Sequence, residues 1–216
     1  MKRLCLATVV LAFGISVEAK SEEMSVLPVD SWFVHVGASG ILFDSKLQSS
    51  VGLFPGSDAT VNNAITPSFE LGYYLNRNIS ISLSSGLPVT TNIDAIAPAF
   101  LAGNNVTQVT MGSVVLGAQY HLDTGSALRP YAGAGIAYNF VTSQTPNPLV
   151  LPGGVLDNSF GAVLQIGADL DLTDHVGVFV DVKKMVSTAH FSGAGGVDGQ
   201  LQLNPLIVST GLSLRF

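Results

Sequence analysis

Four histidines stand out in this 216-residue chain as groups that titrate near neutral pH and ligate metals: His35, His121, His175 and His190. Two imidazoles hold a metal when their spacing puts them on one face, as in H-x-x-x-H on a helix, and no such spacing occurs here. No metal or other cofactor is expected. The only cysteine is Cys5, so a thiolate nucleophile or a disulfide framework is not expected in an exported chain. Serines are common. A Ser/His/acid constellation therefore requires tertiary proximity, with His35 or His121 within hydrogen-bond reach of both a serine and a carboxylate. The remaining polar candidates are acids and bases that alternate with apolar neighbours, among them Glu70, Asp169, Asp171, Lys183 and Arg215.

What must position these residues follows from the composition. Charged residues make up 11% of the chain and hydrophobic ones 47%, where a soluble domain carries roughly 25% charged residues. That pairing is the reverse of a disordered composition. The balance is acidic, with nine Lys+Arg against fifteen Asp+Glu and no basic cluster, so no nucleic-acid partner is expected. At the N-terminus, Lys2 and Arg3 precede the apolar run Leu4 to Val17 and the small-residue site Val17-Glu18-Ala19. This reads as a cleaved secretory signal over residues 1–19, leaving 20–216 as a single domain. Past it, no apolar run approaches the roughly 18 residues of a spanning helix.

The apolar residues alternate instead. Phe160, Ala162, Leu164, Ile166, Ala168, Leu170 and Leu172 share one face, opposite Ser159, Gly161, Gln165, Gly167, Asp169 and Asp171. The period of two identifies a strand with one apolar side. The pattern recurs in Val176 to Val182 and Leu206 to Phe216, and further strands are expected over Trp32 to Leu42, Ile65 to Tyr74, Ile79 to Leu87, Val109 to Leu122 and Pro130 to Val141. Connections alternate in length. Asn76-Arg77-Asn78, Asp123 to Ala127 and Thr173-Asp174-His175 are tight turns, whereas Asp44 to Ala64, Pro88 to Thr107, Thr142 to Asn158 and Ser187 to Gln200 are long. The predicted fold is all-β: an eight-stranded antiparallel transmembrane barrel with short periplasmic turns and long extracellular loops. A short helix is expected at Asp94 to Gly103, capped by Asp94 and stopped by Gly103.

Parity then assigns roles. Trp32, Tyr73, Tyr120 and Phe216 fall at the short-turn rim on the apolar face, as an interface girdle. Inward positions are mixed. Phe33, Val115, Val141, Val163, Phe179, Met185 and Ile207 are expected to line a channel, while Glu70, Asp169, Asp171 and Arg215 are expected to form a polar plug near the periplasmic rim. Lys183 points in and Lys184 points out, toward lipopolysaccharide phosphates. Outer-membrane lipid and lipopolysaccharide are the expected surroundings. The alternating last strand ending in Phe216 resembles the signal read by the barrel assembly machinery.

Gln119-Tyr120-His121-Leu122, Pro130 to Tyr138, Asp181-Val182-Lys183-Lys184, Asn204-Pro205, Gly211 and Arg215-Phe216, taken in order, resemble the outer membrane protein W family. Departures lie in the loops and at Leu87-Pro88-Val89, where the family tends to carry a proline followed by an aromatic residue. The resemblance implies a barrel of the Gram-negative outer membrane with a hydrophobic channel and no enzymatic chemistry. Small hydrophobic molecules would enter from outside and leave laterally through the wall, because the periplasmic end is closed. Such an exit requires a gap in wall hydrogen bonding, at Pro67, Pro88, Pro130 or Pro205. A second reading is a structural or adhesive barrel with a filled lumen, and a third a lipid A-modifying enzyme.

Overall fold

Alternating sequences become strands because each strand then presents one whole face to lipid and the other to the lumen. The computed structural model describes residues 31–51, 57–97, 104–147 and 153–216; the expected signal segment lies outside them. The strands are β1 Trp32–Leu42, β2 Lys46–Val51, β3 Asp58–Val61, β4 Ala64–Tyr74, β5 Ile79–Gly86, β6 Val89–Ala97, β7 Asn105–His121, β8 Leu128–Pro146, β9 Val155–Leu156, β10 Ser159–Asp171, β11 Val176–Gly193, β12 Val197–Gln202 and β13 Leu206–Arg215.

The antiparallel ladder runs β10-β8-β7-β5-β4-β1-β13-β11 and closes through β11 to β10. β5 and β6 both pair with β7 and are two halves of one stave, interrupted at Leu87-Pro88. The barrel thus has eight staves. Closure is what permits a sheet in a bilayer, since lipid offers nothing to an unpaired backbone N–H or C=O.

The three tight turns fall where expected, at 75–78, 122–127 and 172–175. The long connections are more ordered than their composition implies. β2 and β3 occupy the first, β6 extends into the second, β8 and β9 into the third, and β11 and β12 into the fourth. Alternating Val, Ile and Thr in these segments carry the ladder beyond the membrane, where β12 pairs with both β11 and β2. The helix expected at Asp94 to Gly103 is not formed over its first turn. Asp94 to Ala97 belong to β6 and pair with β3, because Ile93 and Ala95 each find a buried place at period two; residues 98–103 lie outside the described residues.

Outward side chains form an apolar belt that includes Val36, Phe69, Leu83, Leu116, Ile136, Leu164, Ile166, Val180 and Leu212, all exposed. Trp32, Tyr120 and Phe216 are exposed at the short-turn rim, and Trp32 packs edge-on against Tyr73 with ring centroids 4.9 Å apart. Lys184, the outward cation, donates to the Asn204 carbonyl at 2.7 Å. Asn204 has a positive φ of 31° ahead of Pro205, and this irregular link between β12 and β13 frees a carbonyl for the lysine to cover.

Candidate functional site

The inward faces of the staves stack in layers. At the periplasmic mouth Arg215 of β13 pairs with Asp171 of β10. Above it lies an aromatic layer in which Phe33, Tyr74 and His121 contact one another and His121 contacts Tyr131, at centroid distances of 5.0–5.9 Å. Glycines across the ladder make room for it. A Cβ on Gly72, opposite Phe33, would fall inside the Phe33 ring, and one on Gly167, opposite Tyr131, would meet the Tyr131 ring. Phe33 is fully buried in this layer and is not among the residues that line the cavity farther up the lumen.

Next comes a belt of buried polar groups. Lys183 Nζ donates to Glu70 Oε2 at 3.0 Å and to Asp181 Oδ1 at 2.8 Å. Asp181 Oδ2 also accepts from Gln165 Nε2 at 2.7 Å and from the Tyr131 hydroxyl at 3.2 Å. Gln119 donates to Glu70, and its own carbonyl oxygen lies 3.1 Å from Ser80 Oγ and 3.2 Å from His121 Nε2. His35 stacks on Phe179 at 4.3 Å, with Nε2 2.9 Å from Asp169 Oδ1. Buried charges persist when each has an opposite charge and further hydrogen bonds, and Lys183 between two carboxylates meets that condition.

The four residues expected to form one plug are therefore divided among three separate pairings: Asp171 goes to Arg215, Asp169 to His35, and Glu70, in register with His35 on the neighbouring stave, to Lys183. Alternation revealed their inward direction, but the barrel's tilt and stagger decide which residues share a level. Asp181, Gln119 and Gln165 also had inward parity, yet their partners come from staves distant in sequence. The serine and the carboxylate that a hydrolytic constellation requires go to different histidines, Ser80 to His121 and Asp169 to His35.

Above the belt the lumen changes character. Val115, Ala137, Val163 and Met185 form a buried apolar cluster with Ile207 against it. Beside this cluster lies a cavity of about 110 Å³, lined by the apolar Val115, Phe179, Met185 and Ile207 interspersed with the hydroxyls of Ser39, Ser68, Ser84 and Ser209. Ser39 Oγ lies 2.6 Å from Ser68 Oγ and 2.7 Å from Ser209 Oγ. Higher still, Val61, Ile93, Val109, Met111, Leu156, Ala189, Phe191, Leu201 and Leu203 make a second apolar cluster, and Val141 packs there rather than beside the cavity.

The cavity reaches the wall where the β4 ladder breaks, and it also touches Leu203 and Pro205 at the link between β12 and β13, where Met185 N donates to the Pro205 carbonyl at 3.0 Å. Thr66, Phe69, Gly86, Leu87 and Val89 belong to its lining. The β4–β5 ladder stops at Ser68 opposite Gly86, and β6 pairs with β3 instead of β4. Leu87 N still donates to the Pro67 carbonyl at 3.0 Å and Asn62 N to the Asn92 carbonyl at 3.1 Å. Between those bonds, Pro88 has no N–H to offer, and side chains substitute for the ladder: Thr66 Oγ1 donates to the Leu87 carbonyl and Thr91 Oγ1 to the Asn62 carbonyl, each at 2.8 Å. Ile65, 82% exposed, and Leu87, 57% exposed, flank the interruption on the outer face. Pro130 pairs in register with Ala168 and leaves its wall intact.

A closed antiparallel barrel with an apolar outer belt, an aromatic rim and charges inside is an outer-membrane protein of the Gram-negative envelope. The chain belongs to the OmpW family, whose model matches residues 30–216. It is 29% identical to the uncharacterized outer-membrane protein y4mB of Sinorhizobium fredii over 86% of this chain and 80% of that protein. It is 28% identical to the dibenzothiophene metabolism operon protein PahQ of Pseudomonas aeruginosa over 86% of this chain and 88% of that protein. Its fold matches the crystal structure of the outer membrane protein OprG from Pseudomonas aeruginosa with a TM-score of 0.78, covering 88% of this chain and 97% of OprG at 18% identity.

Proposed function

We propose that the barrel carries small hydrophobic molecules through its outer half and releases them sideways into the membrane, with no chemistry on the way. The observation that carries this reading is the cavity running from the apolar clusters into the interrupted wall between Pro67 and Pro88. Its apolar lining suits a hydrophobic ligand, and the buried belt around Lys183 leaves the wall as the way out. Val115, Phe179, Met185 and Ile207 are the proposed channel residues. The family membership and the relative from a dibenzothiophene metabolism operon support a hydrophobic cargo. Lipid around the belt and the assembly machinery at the strand ending in Phe216 are the proposed partners.

The test is uptake of an apolar fluorescent probe into liposomes containing the barrel. Pro67→Thr/Pro88→Thr restores two backbone donors to the interruption and is expected to slow uptake by about tenfold or more, equivalent to ~1.4 kcal/mol on the exit step, while the barrel stays folded. Equal uptake by the variant would remove the lateral exit. Equal uptake with and without the wild-type barrel would leave the structural, filled-lumen reading in its place.

A further inference from the structure

The periplasmic mouth holds a second cavity, of about 330 Å³, lined by Tyr74, Arg77, His121, Leu122, Asp123, Arg129 and Arg215. Nothing in the transport reading uses it. Its charge is unusual in a chain with fifteen acids and nine bases, because three arginines from separate elements converge there: Arg77 from the 75–78 turn, Arg129 from β8 and Arg215 from β13. Arg215 is paired with Asp171. Neither Arg77 nor Arg129 has a carboxylate partner among the described residues. Arg129 lies over the Tyr74 ring, 5.4 Å from its centroid. The lining carboxylate, Asp123, accepts from Gly125 N through Oδ1 at 3.0 Å.

A second observation concerns the inner wall of this cavity. His121 is 1% exposed, and its Nε2 lies 3.1 Å from Ser80 Oγ and 3.2 Å from Gln119 Oε1. Its Nδ1 is buried without a hydrogen-bond partner. Gln119 spends its N–H on Glu70 and so presents an acceptor oxygen. With Nε2–H donating toward that oxygen and Ser80, Nδ1 is a lone pair that lacks a donor. An unsatisfied buried acceptor is costly, and a ligand with an N–H or O–H removes the cost.

We propose that this mouth binds the headgroup of a phospholipid, with its phosphate diester between Arg77 and Arg129 and a terminal ammonium donating to His121 Nδ1 and Asp123. Guanidinium groups match phosphate oxygens in geometry and charge, and the acceptors beyond them match a primary ammonium, as in phosphoethanolamine. The source is the membrane rather than the solution, because the rim beside the cavity is apolar. Leu75, Leu122 and Leu128 are exposed there, beside the outward Trp32 and Tyr120 of the girdle. Acyl chains can lie along that outer wall while the headgroup bends over the rim.

The test is calorimetric titration of the whole barrel, in a phosphate-free nonionic detergent, with a short-chain phosphatidylethanolamine. Saturable binding of one lipid per barrel is expected, weakened at least about tenfold in Arg77→Gln/Arg129→Gln and also weakened when phosphocholine, which has no N–H donor, replaces phosphoethanolamine. Arg77→Gln alone lies in an exposed turn, so its effect is read in a barrel whose folding is checked by heat-dependent gel mobility. Unchanged binding in both arginine variants, or equal binding of a diacylglycerol of the same chain length, would overturn the site. Inorganic phosphate binding as tightly as the lipid would overturn the membrane source, and equal binding of phosphocholine would overturn the ammonium contact.

Discussion

The two halves of this lumen are built on the same eight staves with the same in–out alternation, and they end in opposite conditions. In the periplasmic half, carboxylates, amides, histidines and Lys183 interlock across the barrel and leave His121, Gln119, Asp181 and Ser80 fully buried. In the outer half, apolar side chains and hydroxyls line a cavity of about 110 Å³ inside the barrel, whereas the cavity of the periplasmic half lies at its mouth, and the hydroxyls of Ser113 and Ser187 are buried without partners. The belt around Lys183 pairs its charges because each unpaired one is expensive, while His121 Nδ1 and the Ser213 hydroxyl stay buried without a partner. An apolar core tolerates a gap at a cost that grows with its volume. The proposed passage thus falls in the half whose apolar side chains leave a gap and whose ladder lapses between Pro67 and Pro88, above a half held by paired polar groups on the same eight staves.

The largest expected effect is in the closed half. Lys183→Met leaves Glu70 and Asp181 facing each other without a cation and is expected to destabilise the barrel by ~3–5 kcal/mol, read as the urea midpoint in detergent. Replacing all three residues by Met or Leu is expected to recover most of that loss. A triple variant as unstable as the single one would show that the belt stabilises by more than charge compensation. In the outer half, Met185→Ala is expected to cost ~2–4 kcal/mol while widening the cavity and speeding uptake of a bulky probe. Lost stability with unchanged uptake would separate the cavity from the path. The smallest effect is expected outside the membrane. His190 reaches Asp157 at 3.3 Å and Asp198 at 3.1 Å, but all three are exposed, so His190→Ala is expected to change the midpoint by under ~1 kcal/mol.

Staves, turns and the direction of each inward residue were readable from alternation, because period two leaves a strand in a bilayer only one orientation. The rim aromatics followed from the same parity. Val115, Phe179, Met185 and Ile207, chosen by parity alone, line the cavity. Phe33 and Val141 share that parity but lie below and above it, since parity says nothing of height. The hairpins beyond the membrane are hidden in the sequence because Gly, Pro, Asn and Ser interrupt their short alternating runs. Asp94, a good helix cap by residue type, sits instead in the β6–β3 ladder opposite Thr60.

The sequence by itself determined the fold, the membrane and the exclusion of charge from the outer face, since each follows from what lipid does to an unpaired polar group. Only the tertiary structure decided that Lys183 joins Glu70 to Asp181, that Asp169 goes to His35 and Asp171 to Arg215, and that the ladder lapses between Pro67 and Pro88. Those outcomes depend on strand stagger around a closed barrel, which brings together residues more than a hundred positions apart, as with Glu70 and Lys183. No local pattern encodes that meeting.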